Sequence, residues 1–261
     1  MKASLPMYDW PEARPSTDRL WALIRDRLRA AGLDAPGELA RDRDPEEEWS
    51  DPDLLLSQTC GRPYANGLAD QVTLLGIPTF SGTGSLPGRY HSVLVARSDS
   101  RPRGVGGLSG RRFAYNSENS QSGFAAPVRM LIAAGVTSDP EPLETGAHRF
   151  SIRAVAEGRA DWAAIDVVTW GFALRHQPAA KELTVFAKTP DTTALPLIAG
   201  KALVAKKAVI AEAVRGAIAA LAAADREALF LTGFVDAKPE DYAALAEPFD
   251  PLAALPGFSP E

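Results

Sequence analysis

The chain has a single cysteine, Cys60, so no internal disulfide can form and its thiol content says nothing for an oxidising compartment. Its three histidines, His91, His148 and His176, lie far apart, with neither HExxH nor a Cys/His cluster of zinc spacing. No apolar run approaches the ~20 residues of a membrane-spanning helix. The opening MKASLPMYDWPE lacks the apolar centre of a secretory signal. Excess positive charge is absent as well: the formal net charge is -5, which argues against nucleic acid as a partner. Standard catalytic signatures are missing too. There is no GxxxxGK[ST] and no GxSxG elbow, and GVGGLS is only a near miss for a dinucleotide loop. No cofactor or metal is expected. Cys60 with a histidine is the one nucleophilic pairing left open.

What is present is ordinary in bulk and specific in arrangement. With 261 residues, 46% hydrophobic and 23% charged, the chain can build one large domain or two lobes. Runs with strand character alternate with runs of helical periodicity, the pattern of an α/β fold. KASLPMY (2–8) reads as a first strand. Residues 17–32 place Leu20, Leu23, Ile24 and Leu28 on one helical face, with Gly32 as the stop. Asp44 precedes Pro45 as an N-cap. DLLLSQ (53–58) and VTLLGIPTF (72–80) read as strands.

The alternation restarts after Arg89. Strands are expected at 92–97, 111–116, 161–166 and 182–190, with helices at 123–135, 151–158 and 167–176. The chain then returns through LPLIAGKALVA and a long Ala-rich helix at 207–224 to a Pro-rich tail. This layout predicts a discontinuous first lobe, 1–88 plus 188–261, with a second lobe, 89–187, inserted into it. The stretch from Arg89 to Lys181 carries more basic than acidic residues in an otherwise acidic chain, which suits an anion site there.

Three segments of the inserted lobe could hold such an anion. NSENSQSG (Asn116–Gly123) packs three serines and two asparagines where a strand hands over to a helix. A helix N-terminus carries unsatisfied N–H groups and about half a positive charge. Ser120, Gln121 and Ser122 would add donors, and Gly123 would allow close approach. The same residues also suit an elaborate N-cap. In ETGAHRFSIRAV, His148 would project from a helix-entry loop ahead of an N-cap at Ser151, either as a ligand donor or as a structural histidine. Asp166, ending DWAAID, can cap the helix that starts at Val167. Ligands of open α/β sheets bind beyond the strand ends, at helix N-termini. Tyr8, Gln58 and Thr59 in the first lobe, and Tyr90 beside the passage between lobes, meet the same description.

These segments resemble the periplasmic phosphate/phosphite/phosphonate-binding family of solute receptors for ABC transporters. The resemblance rests on MYD, SQTCG, YHSVLVAR, NSENSQSG, GAHRFSIRAVAEGRADWAAID and TTALPLI, and spans nearly the whole chain. It implies the two-lobed type II periplasmic-binding-protein fold, each lobe a central mostly parallel sheet flanked by helices, with a ligand clasped between them and no chemistry done on it. By position, the family's anion-gripping groups fall on Ser120, Gln121 and Ser122. Its histidine falls on His148, its aromatics on Tyr8 and Tyr90, and its pocket acid on Asp166, while Gln58 and Thr59 would face the pocket from the first lobe. Implied partners are a phosphate, phosphonate or carboxylate-class ligand and an ABC permease, with the receptor a monomer.

Two departures matter. The Ser-Thr-Ser cradle of such receptors is Ser-Gln-Ser here, and Ala147 stands where a serine would supply a hydroxyl. An unpaired buried oxygen costs on the order of 1–3 kcal/mol, so the ligand class extends to carboxylates. Asp166 would repel a fully deprotonated anion by roughly 4 kcal/mol at 4 Å and an effective dielectric of 20, which predicts a ligand carrying a proton or an amine. The expected location is the periplasm if a leader has been removed and the cytoplasm if none ever preceded Met1. Rival readings are an enzyme on this fold, similar to pyrimidine-precursor synthases, and a ligand sensor.

Overall fold

In the computed structural model, which describes residues 1–138 and 142–258, the chain forms two units, residues 1–89 with 193–246, and 90–192 with 247–261. The first unit opens with β1 (Lys2–Ala3), which stops short because Pro6 turns the chain into a 3-10 turn ending at Tyr8. The strand expected across 2–8 is therefore two residues long. Helix α1 (Arg14–Ala30) follows and buries Leu20, Trp21, Ile24 and Leu28. Gly32 takes the left-handed conformation just beyond it. Short α2 (Pro45–Trp49) is capped by the Asp44 carboxylate as expected. Then come β2 (Leu54–Gln58), α3 (Gly61–Ala65) and β3 (Val72–Phe80).

The chain leaves through β4 (Arg89–Tyr90), which pairs with β10 (Thr192–Thr193) of the returning chain. On its return it forms β11 (Leu197–Gly200), α7 (Lys207–Ala220), α8 (Ala223–Ala228) and β12 (Leu231–Val235). The expected long helix breaks at Leu221, and β12 had no distinct sequence signal. The sheet order is β1-β2-β11-β3-β12. All five residues of β2 are buried, as befits an inner strand covered on both faces. Gly76 marks a register shift where β11 meets β3. Its φ is 148°, and a Cβ there would lie 2.5 Å from the Phe234 ring and 2.6 Å from the Val235 carbonyl, so only glycine fits.

The second unit contains β5 (Ser92–Arg97), β6 (Phe113–Tyr115), α4 (Ala126–Ala134), β7 (Leu143–Glu144), α5 (His148–Ala156), β8 (Trp162–Asp166), α6 (Val167–His176) and β9 (Leu183–Lys188). Its sheet order is β7-β6-β8-β5-β9. Both sheets are mixed, where mostly parallel ones were expected. In the first, only β1 and β2 pair in parallel. In the second, β6 pairs in parallel with β7 and β8, but β5 runs against both β8 and β9. Besides the edge strand β12, the reversed strands are β5 and β11, which carry the chain into one unit and back into the other. Each enters the middle of a sheet, and local periodicity does not encode that placement.

The tail also departs from the expected boundaries. Ala254, Leu255 and Phe258 join Phe113, Tyr115, Phe124 and Trp162 in the second unit's core, and Phe113 stacks on Trp162 at 4.2 Å. From Glu247 onward the described chain belongs to this unit, where the sequence had assigned it to the first lobe. The last three residues of the Pro-rich tail lie outside the described residues.

Candidate functional site

Strand β6 ends at Tyr115, and the polar segment after it enters a wide π-helical turn, Gln121–Ala125, before α4. Ser120 is the N-cap, its Oγ accepting the Gly123 N–H at 2.9 Å. The turn closes with the Ala125 N–H on the Ser120 carbonyl, five residues back, which leaves one more free donor than an α-helical start. No acceptor among the described residues meets the Ser122 N–H, although Ser122 is only 5% exposed. A buried N–H aimed out of a helix start is a demand for an acceptor.

His148 stands beside that turn. It is the first residue of α5, with Ala147 extended as N-cap. The loop position and the Ser151 cap expected from sequence are thus replaced by a helix that starts three residues earlier. Ser151 is fully buried within it, and its hydroxyl lies 2.7 Å from Thr145 Oγ1, which in turn donates to the Tyr115 carbonyl at 2.8 Å. That chain of hydroxyls ties the start of α5 to the end of β6. The result places His148 Nε2 2.9 Å from Ser122 Oγ. The residue keeps part of its surface open, but protein encloses the ring. Burial pushes its pKa down to about 4, against a smaller upward pull from the Ala164 carbonyl. At neutral pH the ring is uncharged.

Gly123 is required by closeness alone. A Cβ there would overlap the Asn116 amide oxygen and lie 3.0 Å from His148 Cε1. Asn116, Gly123 and His148 therefore form one packed wall. Asp166, 2% exposed, uses Oδ1 to accept the N–H groups of Val168 and Thr169 at 2.8 and 2.9 Å, so the capping role read from the sequence is present. It sits opposite Ser92 in the β5–β8 ladder. Ser92 Oγ in turn donates to the Ser122 carbonyl at 2.7 Å. Tyr90, two residues earlier, is 2% exposed.

The structure thus brings Ser120, Gln121, Ser122 and His148 together in the second unit, with Asp166 one strand away. Tyr8, Gln58 and Thr59 belong to the first unit. Tyr8 is half-buried, its ring edge-on to Phe80 at 5.0 Å. Gln58 and Thr59 are buried at 4% and 0% exposure. The Gln58 amide reaches the Leu195 carbonyl at 3.5 Å and the Thr59 hydroxyl the Cys60 carbonyl at 3.3 Å, contacts internal to the fold. Among the described residues no group of three His, Cys, Asp or Glu could hold a metal, and no helix is long and apolar enough to cross a membrane.

Residues 57–242 match the family described as ABC transporter, phosphonate, periplasmic substrate-binding protein. The chain belongs to this family. Its fold is the type II periplasmic-binding-protein fold, shared at low identity with solved receptors. PhnD1 from Prochlorococcus marinus, in complex with methylphosphonate, aligns over 94% of this chain and 95% of its own, with TM-score 0.69 and 18% identity. The binding-protein component PA3383 of an ABC phosphonate transporter of Pseudomonas aeruginosa aligns over 93% and 82%, with TM-score 0.71 and 16% identity. The aliphatic sulphonate binding protein SsuA of Escherichia coli gives TM-score 0.55 and 15% identity over 94% and 81%. A search of curated proteins returns no match.

Sequence reasoning missed three supporting residues of this receptor: Ser92, Asn116 and Thr145. Asn116 was inside the quoted polar run. Ser92 and Thr145 left no local signal, because each acts on a backbone carbonyl about 30 residues away.

Proposed function

We propose that this receptor binds a phosphonate-class oxyanion at the Gln121–Ala125 turn, without chemistry on it. One ligand oxygen takes the Ser122 N–H, and the Ser122 hydroxyl, oriented by its hydrogen bond with the neutral His148 ring, supplies a further hydrogen bond. The observation that carries the reading is the buried Ser122 N–H with no acceptor, beside a Ser122–His148 pair at 2.9 Å. The donors are dipoles and neutral groups, so the anion is held by preorganised hydrogen bonds at a helix start. Methylphosphonate, the ligand of PhnD1, is the natural first probe, and the receptor's partner in transport is an ABC permease.

The Ser122–His148 pair also has the spacing of a nucleophile and its base. An imidazole pushed down to about 4 is a weak base at neutral pH, and the pair serves here to orient the hydroxyl. Calorimetry with methylphosphonate, phosphate, phosphite, sulfate and acetate tests the reading. Wild type should bind a tetrahedral oxyanion, and Ser122→Ala and His148→Asn should each weaken it about tenfold or more. Equal binding by wild type and Ser122→Ala defeats the proposal, as does a converted ligand recovered by mass spectrometry.

A further inference from the structure

We infer that Ser92 is a positioning residue for the oxyanion turn, replacing a backbone hydrogen bond that Pro127 makes impossible; this rests on the reading of the turn given above. In the wide turn the Gln121 carbonyl accepts the N–H of Ala126, five residues on. By the same spacing the Ser122 carbonyl requires the N–H of residue 127. That residue is proline, which has none. Ala126, one residue nearer, already serves Gln121. The Ser122 carbonyl is thus stranded in a buried site, where an unmet acceptor is costly.

Ser92 Oγ fills the gap at 2.7 Å. Ser92 is itself fixed, 1% exposed, with its N–H on Thr189 Oγ1 and its carbonyl on the Thr189 N–H, both at 2.9 Å. The Ser122–Gly123 peptide is consequently held at both ends by side chains, its oxygen by Ser92 and its N–H by Ser120 Oγ. Such a clamp fixes the peptide plane that follows Ser122, and so limits the backbone rotation that would turn the Ser122 N–H and hydroxyl out of place. Ser92 does not have to touch the ligand to set its affinity.

The compensating change is what separates positioning from general stabilisation. Ser92→Ala should weaken methylphosphonate binding about five- to tenfold, the worth of one neutral hydrogen bond. Pro127→Ala supplies the missing N–H, so the double variant Ser92→Ala/Pro127→Ala should recover most of that loss. Hydrogen exchange in the ligand-free protein reads the same clamp directly. The Gly123 amide, held by Ser120 Oγ, should exchange faster in Ser92→Ala and return toward wild type in the double variant, with the β5 and β8 amides unchanged. Binding by Ser92→Ala within twofold of wild type would overturn the inference. So would a double variant no better than the single one, or faster exchange spread evenly through the second unit. If wild type fails to bind methylphosphonate, the functional reading falls while the exchange result still decides the role of Ser92.

Discussion

Replacing Gly123 by alanine tests the packed wall of the candidate site most directly. At a compatible backbone position near a helix start, Gly→Ala stabilises by about 0.4–1 kcal/mol, because the unfolded chain has less freedom to lose. The φ of Gly123 is not in the left-handed region, so this gain is available in principle. Against it stands the new methyl, which overlaps the Asn116 amide oxygen and comes 3.0 Å from His148 Cε1. Overpacking of this kind costs about 1–3 kcal/mol, so collision outweighs the entropic gain and the net loss is about 1–2 kcal/mol. For units of this size that is a fall in Tm of roughly 2–8 °C. Displacing His148 also disturbs its 2.9 Å contact with Ser122, and methylphosphonate affinity should drop about tenfold in calorimetry. Gly123→Ala/Asn116→Ala removes the colliding amide and should recover at least half of the lost stability. A single variant as stable and as tight as wild type, or a double variant no better than the single, refutes the packing argument.

Acidification addresses His148. Its folded-state pKa is pushed from 6.5 down to about 4, so between those values the unfolded chain binds the more protons. Stability is therefore full above pH 6.5 and declines as the pH falls toward about 4, by roughly 3 kcal/mol at most. Urea titrations should show His148→Asn with a flatter profile than wild type across that window. Asp166→Ala removes the partner of two helix N–H groups and should cost about 1–2 kcal/mol in chemical denaturation. Asp166→Asn keeps the cap and should stay near wild-type stability; it should also bind the fully deprotonated anion more tightly than wild type does, seen as a shallower pH dependence of affinity. Gly76→Ala, in the first unit, combines a forbidden φ with contact to Phe234 and the Val235 carbonyl. It should lose 3 kcal/mol or more, roughly, and show it as a low melting temperature or insoluble expression.

The sequence by itself determined the class of fold, most elements and the polar run that matters. The periodicities of α1 and α6, the Asp44 and Asp166 caps, and the strands at 54–58, 72–80 and 92–97 are local patterns, and local physics settled them. NSENSQSG could be read as donors at a helix start because caps and turn residues act within a few positions of themselves. Only the tertiary structure decided which way β5 and β11 run and which unit takes the tail from Glu247. It also decided that α5 begins at His148 itself. The same holds for the Ser92 bond to the Ser122 carbonyl and the Asn116 contact with Gly123. Those depend on the space left when distant strands meet, and a sequence of side chains records no distances between them.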